Sequence, residues 1–137
     1  MIPIINNLIL DQMAKQDKKS PQIMFIDNDE HVRDSLKVFF DSTQMDFLIF
    51  KTAAQGLNSL KYQKIDIVIS DYFLPDMNGV DFLNQVAMDN PDIIRILMTT
   101  IVNDDLKLDV LKAGIDFFIE KPLTVASLDT IINELKS

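Results

Sequence analysis

Short apolar segments alternate along the chain with segments in which hydrophobic residues recur at helical spacing. The apolar segments are residues 23–26, 47–50, 65–70, 94–99 and 117–120. Most of them are almost continuously hydrophobic, which is typical of parallel strands that are covered on both faces of a sheet. We therefore predict five buried strands, each ending at polar or charged residues.

The segments between the predicted strands carry the periodicity of amphipathic helices. An apolar stripe runs from Val32 to Phe40, and a similar stripe runs from Leu128 to Leu135. Further helices are predicted over residues 53–64, 79–90 and 103–114, the last closed by its glycine, a residue favoured at helix C-termini. Each predicted strand is thus followed by one predicted helix.

This alternation predicts an α/β fold of the (βα)₅ type. Right-handed crossovers between parallel strands place helices on both faces of one sheet. We expect a flavodoxin-like, doubly wound parallel sheet of five strands in the order 2-1-3-4-5. Such sheets bind ligands beyond the carboxyl ends of their strands, at the point where the strand order reverses. The functional residues should therefore lie where strands end.

The folded domain is predicted to span residues 21–137, preceded by an N-terminal extension of residues 1–20. A polar stretch with a turn-forming Ser-Pro pair, residues 15–21, separates the two. Residues 2–13 have the pattern of an amphipathic helix that docks on the domain or on a second copy, and a disordered extension is the alternative. With 137 residues, 47% of them hydrophobic, the chain is large enough for one core.

Composition and charge exclude several classes of function. The chain has no cysteine, which removes thiol catalysis and thiolate metal sites and favours a cytoplasmic setting. Its formal net charge of −8 opposes direct binding to the phosphate backbone of nucleic acids. No apolar run reaches the roughly 18 to 20 residues of a membrane span, and no signal peptide is recognisable, so we expect no membrane association. A chain with this negative net charge favours a cation as its ligand.

Residues with catalytic or metal-binding chemistry gather at the predicted strand ends. They are Asp27, Asn28 and Asp29 after the first strand, Asp71 after the third, Thr99 and Thr100 at the end of the fourth, and Lys121 after the fifth. Carboxylates that meet at one site repel each other unless a cation neutralises them, and open oxygen ligands of this kind suit Mg²⁺. His31 is a single histidine at the start of a helix, and we assign it no role.

Four motifs together carry a family resemblance. They are the acidic cluster after the first strand, "DYFLPDMNG" at 71–79, "LMTT" at 97–100 and "GIDFFIEKP" at 114–122. The separations of 44 positions from Asp27 to Asp71 and 22 positions from Thr99 to Lys121 fit the same family. From residue 22 to residue 135, the chain resembles the receiver domain of two-component response regulators.

This resemblance implies phosphoryl transfer to Asp71 from a phosphohistidine of a sensor histidine kinase or a phosphotransfer protein. Lys121 matches the lysine that pairs first with the carboxylate and then with the phosphoryl oxygens. Thr99 matches the hydroxyl residue that binds the phosphoryl group, and Phe118 matches the aromatic residue whose rotamer follows that bond. In the family, the peptide bond between this lysine and the following proline, Pro122, is typically cis.

The resemblance also implies a Mg²⁺ site formed by Asp27, Asn28, Asp71 and the backbone carbonyl of Phe73. Asn28 departs from the family pattern, because the residue at this position normally contributes a carboxylate. An amide oxygen can coordinate Mg²⁺ but brings no charge, so we expect weaker Mg²⁺ binding. The alternative is that Asp29 supplies the missing carboxylate through a one-residue shift of the turn.

Two apolar residues border the expected phosphoryl group. Phe73 lies two residues after Asp71, and Ile101 lies two residues after Thr99. Apolar side chains at these places would exclude a hydrolytic water, which predicts a slowly hydrolysing aspartyl phosphate. The alternative is that both side chains only pack beneath their loops.

We therefore interpret the chain as a phosphoacceptor signalling domain that is not a turnover enzyme. The readout would be a surface formed by the fourth helix, fifth strand and fifth helix, acting on an effector domain or partner or forming a homodimer. An aspartate-nucleophile phosphatase would carry a second aspartate where Phe73 stands, which argues against that enzyme class. A degenerate receiver that binds partners without phosphorylation remains the alternative, and Asn28 supports it.

Overall fold

The computed structural model describes residues 21–43, 45–124, 126, 127, 130 and 133. The strands are β1 (Ile23–Ile26), β2 (Phe47–Phe50), β3 (Ile67–Asp71), β4 (Ile94–Thr99) and β5 (Phe117–Glu120). The helices are α1 (Glu30–Asp41), α2 (Ala53–Leu60), α3 (Gly79–Asp89) and α4 (Asp104–Lys112). Residues 126, 127, 130 and 133 are also helical, whereas the extension 1–20 and most of the predicted fifth helix lie outside the described residues.

The five strands form one parallel sheet in the order β2-β1-β3-β4-β5, which confirms the predicted topology. β1 pairs with both β2 and β3, so the strand order reverses between the first and third strands. β3 pairs with β4, and β4 pairs with β5. The crevice at the carboxyl ends of β1 and β3 is therefore the switch point of the sheet.

Three predicted boundaries were wrong by two residues or more, and one of them is the end of α4, which stops at Lys112 instead of residue 114. The third strand begins at Ile67 instead of residue 65, because Asp66 is engaged with Gln22: its Oδ2 accepts from the Gln22 amide at 2.9 Å. The second helix ends at Leu60 instead of residue 64. The next two amides donate to carbonyls three residues back, which tightens the helix end into a turn.

Hydrophobic side chains cover both faces of the sheet. On one face, Phe25 and its neighbours pack against Leu36 and Phe40 of α1. On the other face, residues of α2, α3 and α4 pack against Met24, Leu97 and their neighbours. Alternate residues of each strand enter opposite layers, which explains why the strands are almost continuously apolar.

Gly79 lets the start of α3 approach the end of β3 closely. Its amide donates to the Tyr72 carbonyl at 2.6 Å, and a Cβ atom here would collide with the Asp71 carbonyl oxygen. A larger residue would push α3 away from the strand end that carries Asp71. Within the part of the chain that the structure describes, no helix is long and apolar enough to cross a membrane.

Candidate functional site

The strand register brings the predicted site residues to one edge of the sheet. Ile26 lies opposite Ser70, so the next residues, Asp27 and Asp71, follow side by side at the switch point. Asp71 in turn lies opposite Met98, the residue before Thr99. These three side chains therefore end adjacent strands.

Lys121 joins the two carboxylates of this edge. Its Nζ lies 2.7 Å from Oδ2 of Asp27 and 3.5 Å from Oδ2 of Asp71. Its backbone amide donates to the carbonyl of Thr99 at 2.8 Å, which fixes the chain just beyond β5. The peptide bond to Pro122 is cis, as the resemblance implied. The lysine is thus placed as a point charge between two acids.

Burial and neighbouring charges control the ionisation of this cluster. Burial, followed by the negative charge of Asp27, raises the pKa of Asp71 above its ordinary 3.8, although Lys121 and a hydrogen bond from the Phe73 amide oppose the rise. Burial acts to lower the pKa of Lys121, but its bonds and attraction to Asp27 and Asp71 raise it overall. The lysine therefore stays charged, and an added cation would offset the cost of ionising Asp71.

Thr99 and Phe118, the two residues predicted to form the switch, lie on the adjacent strands β4 and β5. The Thr99 side chain is buried, and its Oγ1 accepts a hydrogen bond from the amide of Ile101 at 3.0 Å. Phe118 lies opposite Leu97 in the register and packs on the same face of the sheet as α4. Thr99 thus touches the loop before α4, while Phe118 contacts the layer that contains this helix.

The site offers hard oxygen donors for a divalent cation, but Asn28 stands where the family pattern has a third carboxylate. Asp27 and Asp71 supply two carboxylates, and the exposed Asn28 follows directly after Asp27. Among the described residues, no group of three or more histidine, cysteine, aspartate or glutamate side chains is arranged to hold a metal ion. The donor set suits Mg²⁺ by its chemistry, with less negative charge than three acids would give.

Asp29, the alternative ligand, is engaged elsewhere. Its Oδ1 accepts hydrogen bonds from the amides of His31 at 2.8 Å and Val32 at 3.4 Å, so this residue is the N-cap of α1. The cap holds Oδ1 at the helix terminus, and ligation through this oxygen would break it. His31, to which no role was assigned, is exposed.

Phe73 and Ile101 are exposed beside the site. Phe73 is 51% exposed and Ile101 is 40% exposed, so neither side chain is buried beneath its loop. The Phe73 ring makes an edge contact with Tyr72, with 4.9 Å between the ring centroids. The loops after β3 and β4 therefore each present an apolar side chain to solvent.

Sequence reasoning missed two arrangements at this site. Arg33 Nη1 donates to the carbonyls of Asp27 at 3.0 Å and Asn28 at 2.8 Å, holding the acidic turn against α1. Asp76, in the loop after β3, contacts the start of α2. Arg33 could have been suspected, because it lies near in sequence to the turn. Asp76 carries no such signal, since its partners are more than 20 residues away.

Comparison with known proteins agrees with this geometry. A family model described as the response regulator receiver domain matches residues 23–133. The chain belongs to the receiver-domain family of two-component response regulators.

Two relatives illustrate the match. A probable transcriptional regulator, ycf29, from Cyanophora paradoxa is 32% identical over 115 residues, covering 80% of this chain and 53% of the relative. The response regulator protein VraR from Staphylococcus saprophyticus is 26% identical over 116 residues, covering 82% of this chain and 55% of the relative. The chain thus spans about half the length of these relatives.

Solved structures share the fold. A CheY-like response regulator receiver domain from Methanospirillum hungatei superposes with a TM-score of 0.76 at 26% identity, covering 85% of this chain and 94% of that one. The non-phosphorylated HemR receiver domain from Leptospira biflexa gives a TM-score of 0.77 at 23% identity, with coverages of 85% and 94%. At 23% identity, the similarity to the HemR domain shows a shared fold and nothing further.

Proposed function

We propose that this domain is a phosphoacceptor switch that receives a phosphoryl group on Asp71. The observation that carries the proposal is the position of the Lys121 ammonium, 2.7 Å from Asp27 and 3.5 Å from Asp71 at the switch point. Phosphoryl transfer depends on positioning and charge neutralisation more than on covalent chemistry. A lysine held between two carboxylates, with Thr99 at the end of the neighbouring strand β4, supplies both.

In the proposed reaction, a carboxylate oxygen of Asp71 attacks the phosphorus of a phosphohistidine. The new O–P bond forms as the N–P bond breaks, and its electron pair returns to the imidazole nitrogen of the donor. The Lys121 ammonium then forms a hydrogen bond to one phosphoryl oxygen and keeps a weaker contact with Asp27. The Thr99 hydroxyl donates a hydrogen bond to another phosphoryl oxygen. The product is an aspartyl phosphate.

Asp27, Asn28, Asp71 and the backbone carbonyl of Phe73 are the residues that would hold Mg²⁺. When bound, Mg²⁺ neutralises the charge of the phosphoryl group and orients it for transfer. The neutral amide of Asn28 reduces the attraction for the cation, so we propose phosphorylation with a reduced Mg²⁺ affinity.

The proposed donor is a sensor histidine kinase or a phosphotransfer protein, acting in a reducing cytoplasm. The proposed readout runs through Thr99 and Phe118 to the surface of α4 and β5, where an effector domain, a protein partner or a second copy would bind. Leu108 and Leu111 are exposed on α4 and offer apolar area for such a contact. The acidic domain is not proposed to contact nucleic acid itself.

Intact-mass spectrometry after incubation with acetyl phosphate tests the proposal. Wild type should gain one phosphoryl group in the presence of Mg²⁺, and Asp71→Asn should gain none. Asp92→Asn removes an exposed carboxylate away from the site and should behave as wild type. No gain by wild type at any Mg²⁺ concentration would refute phosphoacceptor function and leave a receiver that acts by binding alone.

A further inference from the structure

The loop between β3 and α3, residues 72–78, is closed at its base. We call it the acceptor loop, because it follows Asp71 directly. Phe73 and Asn78 form an isolated β-bridge, and the Asn78 side chain caps α3 by accepting from the Asp81 amide at 2.9 Å. These bonds hold the two ends of the loop together, but they do not fix its tip relative to the rest of the domain.

Asp76 at the tip of the acceptor loop reaches a different helix. Its Oδ1 accepts from the amide of Ala53 at 3.1 Å, and its Oδ2 accepts from the amide of Ala54 at 2.9 Å. Both oxygens of one carboxylate are therefore used at the N-terminus of α2. Burial acts to raise the pKa of Asp76, but the hydrogen bonds from the backbone amides together hold it below its ordinary 3.8, so the group stays ionised near neutral pH.

α2 also has a cap of its own. Thr52 accepts from the amide of Gln55 at 3.1 Å, and the Gln55 side chain bonds back to the Thr52 amide at 3.1 Å. This capping box satisfies the third amide of the helix, while Asp76 satisfies the first two. The two caps divide their roles: Thr52 acts within the helix, and Asp76 connects the helix to the acceptor loop.

The helix end that Asp76 contacts is anchored to the sheet. Ala53 is fully buried within the hydrophobic layer that contains Met24 and Ile26. A Cβ atom at Gly56 would lie 2.7 Å from Ile26 Cδ1, so the first turn of α2 lies close against β1. Asp76 therefore ties the acceptor loop to a fixed point of the core.

We propose that Asp76 is a positioning residue, which holds the acceptor loop in the arrangement that the acceptor site needs. Phe73 lies within this loop, and its amide acts to lower the pKa of the Asp71 carboxyl group. Its carbonyl is the one assigned above to Mg²⁺. Releasing the tip of the loop would loosen both groups while leaving Asp71, Asp27 and Lys121 in place. This inference rests on the proposed function, because it concerns the same site.

A pair of variants separates this role from helix stability. Asp76→Ala and Thr52→Ala each remove a cap of α2, and each should lower the midpoint of urea unfolding. Mg²⁺ affinity can be measured by calorimetric titration in the presence of beryllofluoride, an analogue of the phosphoryl group. We expect this affinity to fall by about tenfold in Asp76→Ala and to stay unchanged in Thr52→Ala. Tenfold is the smallest loss expected when a residue that supports a metal ligand is removed. Asp76→Asn retains one acceptor oxygen and should recover part of the affinity. Equal losses in Asp76→Ala and Thr52→Ala, or an unchanged affinity in Asp76→Ala, would overturn the proposal.

Hydrogen exchange without Mg²⁺ or phosphoryl analogue tests the tether independently of phosphorylation. Amides of the acceptor loop should exchange faster in Asp76→Ala than in wild type, and at the wild-type rate in Thr52→Ala. Unchanged loop exchange in Asp76→Ala would refute the tether even if wild type is phosphorylated. A wild type that binds no analogue and gains no phosphoryl group, but shows the exchange difference, would refute the proposed function and leave the tether established.

Discussion

At the residue scale, the charge of the site is the feature that Asn28 changes most. Asp27 is fully buried and pairs with Lys121 at 2.7 Å, so part of its charge is already balanced before any metal binds. Asn28 contributes no charge, and Asp29 is held by the first amides of α1. The cation must therefore be attracted mainly by two carboxylates that share one ammonium.

Restoring the acid at this position should strengthen metal binding. Asn28→Asp adds a charge at one of the proposed ligand positions, and we expect the Mg²⁺ concentration for half-maximal phosphorylation to fall about tenfold, equivalent to roughly 1.4 kcal/mol. Asn84→Asp adds the same charge on the exposed side of α3 and should have little effect. An unchanged requirement in Asn28→Asp would show that Asn28 is not a ligand position.

The exposed apolar side chains beside the site should control the lifetime of the aspartyl phosphate. Replacing both Phe73 and Ile101 by asparagine should shorten this lifetime by about tenfold, because polar groups can orient the attacking water. Decay of the phosphorylated mass after removal of the phosphodonor gives the rate. Met88→Asn, a change of another exposed apolar side chain on α3, is the control. A lifetime equal to that of wild type in the double variant would contradict the prediction.

At the scale of elements, sequence patterns predicted strands and helices well and tertiary tethers poorly. The segment from Ile94 to Thr99 was predicted with its boundaries correct, because a strand buried on both faces is apolar at most of its positions. The start of β3 was missed, since a bond from Gln22 to Asp66 determines it. Asp76 could not be predicted, because its contact joins a loop to the start of α2, and no local pattern relates the two.

Arg95 is a further tether, and it was not visible in the sequence. It is buried in β4, where its guanidinium donates to the carbonyls of Leu83, Ala113 and Gly114 at 2.8 to 3.1 Å. The residue thus connects α3 with the end of α4. In the sequence, Arg95 was visible only as one charged residue within an apolar segment, and its carbonyl partners could not be predicted.

Removing this tether should destabilise the domain. Arg95→Met keeps much of the side-chain volume but removes the hydrogen bonds that the guanidinium donates to three carbonyls, so the free energy of unfolding should fall by about 1–3 kcal/mol. Urea unfolding measures the change. Lys107→Met removes an exposed positive charge from α4 and should shift the free energy by less than about 0.5 kcal/mol. A loss in Arg95→Met no larger than that of the control would show that the tether contributes little.

At the scale of the whole molecule, the acceptor site lowers the free energy of unfolding of the domain. Burial and Asp27 raise the pKa of Asp71, so its ionised form is less favourable in the folded domain than in the unfolded chain. For a carboxyl group of raised pKa, stability falls as the pH rises from the ordinary 3.8 through the folded pKa. The cost is fully present once the pH exceeds the folded pKa.

Asp71→Asn should therefore stabilise the domain at pH 7 in the absence of Mg²⁺. Thermal unfolding should occur at a higher temperature than in wild type, and the difference should disappear as the pH falls well below 3.8, where the wild-type carboxyl group is protonated in both the folded and the unfolded state. Mg²⁺ should raise the unfolding temperature of wild type more than that of the variant. A variant less stable than wild type at pH 7 would show that the pairing with Lys121 outweighs the burial of the charge.

The central claim is that Asp71 accepts the phosphoryl group, and direct localisation of that group tests it. Wild type treated with acetyl phosphate and Mg²⁺ would be trapped by borohydride reduction, which converts an aspartyl phosphate to homoserine, and then digested and sequenced by tandem mass spectrometry. We predict homoserine at position 71 alone. Conversion of a different aspartate, or of none in a sample that contains folded protein, would contradict the account.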